Sequence, residues 1–132
     1  MSKVQLTDAE IKRNNKLMLD IIKYLQKKNY FSDVSIYTNG HKYSSEKYND
    51  NSIEMTTKYG TYYDCGEWNV ESQIEYNNPK TLTMTFEGPL YHDYNYNYEY
   101  QACHAERDIT KICDKYGLYP EQGYAWSLAC YE

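Results

Sequence analysis

The chain has 132 residues, 18 of them tyrosine, a net charge of −5 and a mean hydropathy of −0.92. That length supports one domain, 1–132, and excludes two independent cores. No apolar run approaches the ~18 residues of a membrane span, and the N-terminus lacks an apolar signal region, so the chain reads as cytoplasmic with no membrane partner.

In a reducing compartment Cys65, Cys103, Cys113 and Cys130 are expected as free thiols. No two of them stand at Cys-x-x-Cys spacing, which removes the strongest zinc and redox signatures. Charge is split along the chain: residues 1–47 carry +4 and residues 48–132 carry −9. An acidic body argues against direct nucleic-acid binding, because phosphate contacts need Lys and Arg. It permits a basic protein partner.

In chain order, residues 7–29 read as a helix. Thr7 and Glu10 form a capping box, Leu6 and Ile11 a hydrophobic staple, and Ile11, Met18, Ile21, Ile22 and Leu25 a core stripe. Lys12, Lys16, Lys23 and Lys27 fall on the other faces, and Asn29 is the stop. Val34 and Ile36 alternate with polar residues before the hairpin turn Asn39-Gly40. Residues 44–52 read as loop. Residues 52–59 alternate, with a turn or bulge at 59–61.

Residues 67–76 alternate most regularly. Trp68, Val70, Ser72, Ile74 and Tyr76 point one way, and Glu67, Glu71 and Glu75 the other. After the break at Asn77-Asn78-Pro79, Leu82, Met84 and Phe86 form the next strand, which ends at Gly88-Pro89. Residues 91–100 read as an extended edge or a long loop. Ala102, Ala105, Ile109, Ile112, Cys113 and Tyr116 make a second helical stripe, with Gly117 just past its end. Tyr124, Trp126, Leu128 and Cys130 suggest a last strand. The expected fold is α+β, an antiparallel sheet of about four to six strands with two helices on one face and one wet face.

Two constellations carry the functional reading. Glu54, Glu67, Glu71, Glu75 and Glu87 fall on the polar sides of their strands, and Asp93 extends the set. Across a hairpin at 77–79, Glu71 faces either Glu87 or Thr85, and the first arrangement is destabilising. The acidic face reads as a solvated surface, as a docking surface for a basic groove, or as a cation site, although no calcium-loop spacing is present. On a strand, Glu67, Glu71 and Glu75 would stand about 13 Å apart. That spacing is too sparse to imitate duplex charge unless neighbouring strands add more.

The second constellation is Tyr91, Tyr94, Tyr96, Tyr98 and Tyr100, interleaved with Asp93, Asn95, Asn97 and Glu99. With no Lys or Arg between Lys80 and Arg107, base stacking is disfavoured, and the tract reads as adaptable protein contact or as a tyrosine-lined edge of the core. Cys103 and His104 are adjacent and face apart on a helix. His41 and His92 could reach Cys65 or Cys103 only through the fold. No catalytic or metal residue is assigned, and no cofactor is implied, because no Gly-rich phosphate loop is present.

The runs Phe86-Glu87-Gly88-Pro89-Leu90-Tyr91 and Tyr116-Gly117-Leu118-Tyr119-Pro120-Glu121-Gln122-Gly123-Tyr124-Ala125-Trp126 resemble small proteins of phages and mobile elements of Gram-positive bacteria. In general type the chain is similar to anti-CRISPR and antirestriction inhibitors. The resemblance covers the C-terminal third and has no diagnostic motif. It implies a short, acidic, cofactor-free protein acting in the host cell, which occludes the nucleic-acid site of a host defence complex.

The expected partner is therefore a basic protein or complex that normally binds nucleic acid, met through Glu54, Glu67, Glu71, Glu75, Glu87, Asp93, Tyr94, Tyr96 and Tyr98. The other classes are a small enzyme with a Cys/His site and a self-assembling protein. In the latter, or in a homodimer, the basic helix of one copy meets the acidic sheet of another.

Overall fold

A computed structural model, which describes residues 5–96 and 104–132, opens with helix α1, Asp8–Lys27. Its start is the capping box. Thr7 Oγ1 accepts from Glu10 N at 3.1 Å, and Glu10 Oε1 accepts from Thr7 N at 2.9 Å. Its end is a Schellman motif: Asn29 takes φ 61°, Asn29 N donates to Gln26 O, and Tyr30 N donates to Leu25 O at 2.8 Å. Leu17, Met18, Ile21, Ile22 and Leu25 are buried. Ile11 is 37% exposed, so the buried stripe starts one turn later, at Asn14. Asn14 spends its amide on Asn39 Oδ1 and Lys80 O, each at 3.0 Å, which satisfies a polar group with no exposure.

The strands are β1 Val34–Thr38, β2 His41–Ser44, β3 Ile53–Thr57, β4 Gly60–Glu67, β5 Leu82–Phe86, β6 Tyr119–Gln122 and β7 Ser127–Tyr131. They form one antiparallel sheet in the order β3-β4-β2-β1-β5-β7-β6. Helices α2, Pro89–Tyr96, and α3, His104–Asp114, complete the chain. The class is α+β as expected, and the described residues form seven strands and three helices instead of four to six and two.

Asn39 and Gly40, at φ 53° and 74°, make the two-residue β1–β2 turn in which both central residues need positive φ. The pairings Val34↔Phe86, Ile36↔Met84 and Met84↔Leu128 put the apolar residues of three central strands on one face. All three helices pack there, through the α1 stripe, through Leu90 and Tyr94, and through Ala105, Ile109 and Cys113.

Three expectations change. First, residues 67–76 are not a strand. The strand comes earlier, as β4, and ends in a bulge near Gly66, where φ is 91° and the pairing with β2 slips. The chain then makes a 3-10 turn, Val70–Ser72, and Ile74 N donates to Val70 O at 2.9 Å. Val70 and Ile74 thereby land together on Tyr37, on the sheet face opposite the helices. That face is not uniformly wet, because Thr83 and Ser127 are fully buried and Ser44 nearly so.

Second, β5 pairs with β1 and β7, so no hairpin joins it to 67–76 and the choice between Glu87 and Thr85 opposite Glu71 does not arise. Third, the start of the tyrosine tract is helix α2. Pro89 suits its first position, and Leu90 and Tyr94 bury one face at a four-residue step. The second stripe is α3, with Gly117 at φ 74° and Leu118 N bonded to Cys113 O.

Candidate functional site

On the helical side three acids, Asp20, Asp93 and Asp108, are committed to structure, while Asp8, Glu106 and Asp114 are exposed. Asp20 accepts from Lys115 Nζ at 2.9 Å and from the Tyr116 hydroxyl. Asp108 accepts from the Tyr24 hydroxyl at 2.8 Å. Burial and that carboxylate together push the Tyr24 phenol far above its usual range. Asp93 accepts from Ala105 N at 2.8 Å, within the first turn of α3, where negative charge is favoured. Burial raises the nearby Tyr30 phenol, and the charge and hydrogen-bond acceptor of Asp93 raise it further.

On the opposite side Glu54 points outward from β3 across from Tyr63, Glu71 and Glu75 stand on the crossover, and Glu87 follows β5. All four are exposed, and none has an ion pair among the described residues. Glu75 accepts a hydrogen bond from the Tyr124 hydroxyl, which raises that phenol's pKa. Glu46, in the β2–β3 loop, and Glu121, opposite Ala129, lie on this side too. Glu67 is exposed and also lacks an ion pair, but it pairs with His41 and sits at the rim where the sheet meets the start of α1.

Aromatic rings stand among these acids. Tyr124 and Trp126 stack at 5.0 Å with planes 12° apart, and Tyr76 meets Tyr124 edge-on at 5.2 Å. Gly123 permits this, since a Cβ there would lie 2.5 Å from the Tyr76 Cβ. Tyr48 meets Trp68 at 5.1 Å, and Lys42 Nζ lies 4.5 Å from both rings. A hollow of about 310 Å³ between these groups is walled by Asp33, Glu46, Glu87, Ile74 and Trp126. A second, of about 460 Å³, lies at the rim between Ile11, His41, Glu67, Trp68 and Glu71.

Of the residues expected at a partner surface, Glu54, Glu71, Glu75 and Glu87 share the side away from the helices, and Glu67 marks its edge. Asp93 and Tyr94 do not belong to it. Asp93 holds the start of α3, and Tyr94 is 4% exposed with its ring 5.6 Å from Phe86. Tyr96 is the last residue of α2, and Tyr98 lies outside the described residues. The crossover spoils the even 13 Å ladder, because Glu71 and Glu75 leave a turn and not a strand.

Sequence reasoning missed Tyr48, Tyr76, Glu46, and the Tyr124–Trp126 stack. The last was hidden because alternation through residue 130 reads as strand, whereas β7 begins at Ser127 and the two rings sit on its turn. Gly123, between the two halves of that hairpin, was the available signal.

His41 Nδ1 lies 3.0 Å from Asp64 Oδ1, which also accepts from Gly66 N at 2.9 Å and so helps fix the bulge. Cys65 Sγ is 3.9 Å from Tyr63 O. Cys103 lies outside the described residues. Among the described residues no three His, Cys, Asp or Glu side chains are grouped to hold a metal ion. Among the described residues no helix is long and apolar enough to cross a membrane. Comparison with protein-family models, with curated proteins and with solved structures finds no match to this chain.

Proposed function

We propose that the chain is a protein-binding inhibitor that uses the non-helical sheet side to occlude the nucleic-acid-binding site of a host defence complex. The supporting observation is the gathering of exposed carboxylates on one side of the sheet, where Glu54, Glu71, Glu75 and Glu87 stand without an ion pair among the described residues. Exposed carboxylates with no cation beside them keep their attraction for a partner's Lys and Arg. The interleaved rings supply what carboxylates lack, a large contact area at low entropy cost. The Asp33–Glu46–Glu87 hollow beside Trp126 suits an inserted arginine, whose guanidinium stacks on indole and forks to carboxylate.

The binding groove of such a partner is built for phosphates, so carboxylates occupying it exclude DNA or RNA. The test is capture from a Gram-positive host lysate on the immobilised protein, followed by elution with duplex DNA. The reading predicts a basic, nucleic-acid-binding protein that duplex DNA displaces. A captured protein that binds DNA and this chain at once would contradict it.

A further inference from the structure

Two of the cysteines are in contact. Cys113, on the last full turn of α3, and Cys130, on β7, bring their sulfurs to 3.6 Å, and both are fully buried. They belong to elements far apart in the fold plan, one in the helix layer and one in the sheet. Leu118 N bonded to Cys113 O, and Thr81 Oγ1 bonded to Cys130 O at 2.6 Å, hold the two backbones in place.

Buried cysteine is usually a small apolar filler. Here each thiol has the other as its nearest hydrogen-bonding sulfur. A cystine needs about 2.05 Å between sulfurs, so the pair must close by about 1.5 Å. Cys65 is on β4, next to the β3 edge of the sheet, whereas Cys130 is on β7, with three strands between them.

We propose that Cys113 and Cys130 are a disulfide-forming site, which closes by exchange with a small-molecule disulfide such as oxidised glutathione. The Cys113 thiolate attacks one glutathione sulfur, the glutathione S–S bond breaks, and one glutathione leaves as thiolate. The Cys130 thiolate then attacks Cys113 Sγ and expels the second glutathione. The protein loses two protons and two electrons, and oxidised glutathione becomes two molecules of the reduced thiol. Within the folded contact the hydrogen bond from Cys130 favours ionisation of Cys113, whereas the neighbouring thiol and burial oppose ionisation of Cys130. Since neither sulfur meets solvent, exchange takes place as the chain folds or when α3 lifts from the sheet. The bond ties the helix layer to the sheet and leaves the acidic side untouched.

The test unfolds the full chain in denaturant and refolds it with oxidised or with reduced glutathione. Remaining thiols are then alkylated and peptides mapped. The oxidised arm should give a Cys113–Cys130 linked peptide with Cys65 alkylated, a mass lower by two hydrogens, and a Tm higher by roughly 5–10 °C than the reduced arm. Full alkylation of all four cysteines in the oxidised arm, or linkage of either residue to Cys65 or Cys103, would overturn the proposal. A linked peptide with an unchanged or lower Tm would also overturn it, because the native packing would then not accommodate the bond.

Discussion

Ile74 N donates to Val70 O at 2.9 Å, and this bond turns a segment that alternates like a strand into a turn that lays two apolar side chains on Tyr37. The same turn throws Glu71 and Glu75 outward. The small apolar patch and the acidic surface are two sides of one local geometry.

Truncating Ile74 should therefore cost stability. The side chain is 8% exposed in a satellite patch with some room to relax, so Ile74→Ala should lose about 2 kcal/mol, at the low end for a buried isoleucine. Urea unfolding should show a lower midpoint with an unchanged slope. A midpoint equal to wild type would mean that the crossover is not packed on the sheet.

Acid should unfold the protein partly through Asp20. Burial acts to raise its pKa, but hydrogen bonds from Tyr116 and Lys115 outweigh burial and hold it below the ordinary 3.8. The unfolded chain then takes up this proton first as pH falls. Stability that is complete above about pH 5 is lost as pH drops through the lowered folded value. Asp20→Asn should be less stable than wild type at neutral pH and should lose less on acidification. Parallel stability curves for the two proteins below pH 5 would remove Asp20 from the account.

Alkali acts through the phenols. Burial first, and then the Asp64 charge, push Tyr43 up to about 12. Burial first, and then the bond to Asp20, do the same for Tyr116. Between the ordinary value of 10.0 and about 12, the unfolded chain ionises these groups while the folded chain keeps them protonated. Stability should fall across that window. Phenolate absorbance should rise in two stages, exposed tyrosines first and the remainder together with loss of the fold. One reversible stage near pH 10 with the fold intact would contradict the burial of these rings.

Much of the fold was legible in local chemistry. Thr7 with Glu10, Asn29, Asn39-Gly40 and Gly117 each act within a few residues, through caps or positive φ, and each sits where expected. Residues 67–76 misled because Val70 and Ile74 satisfy a two-residue and a four-residue period at once. The decision came from sheet partners, since β5 is taken by β1 and β7. The tyrosine tract misled for the same reason, with Leu90 and Tyr94 one helical turn apart. The acidic side was half legible. Strand polarity marked Glu54 and Glu87, whereas the use of Asp93 as an anchor depends on α3 starting beside it.

The central claim is that the unpaired outer carboxylates bind a basic partner. The most direct measurement is the affinity of the captured protein for wild type and for a variant carrying Glu54→Gln, Glu71→Gln, Glu75→Gln and Glu87→Gln, at about 50 and about 500 mM salt. The account predicts unchanged folding, a loss of at least ~10-fold in affinity at low salt, and a much weaker salt dependence in the variant. Equal affinity and equal salt dependence in the two proteins would contradict it.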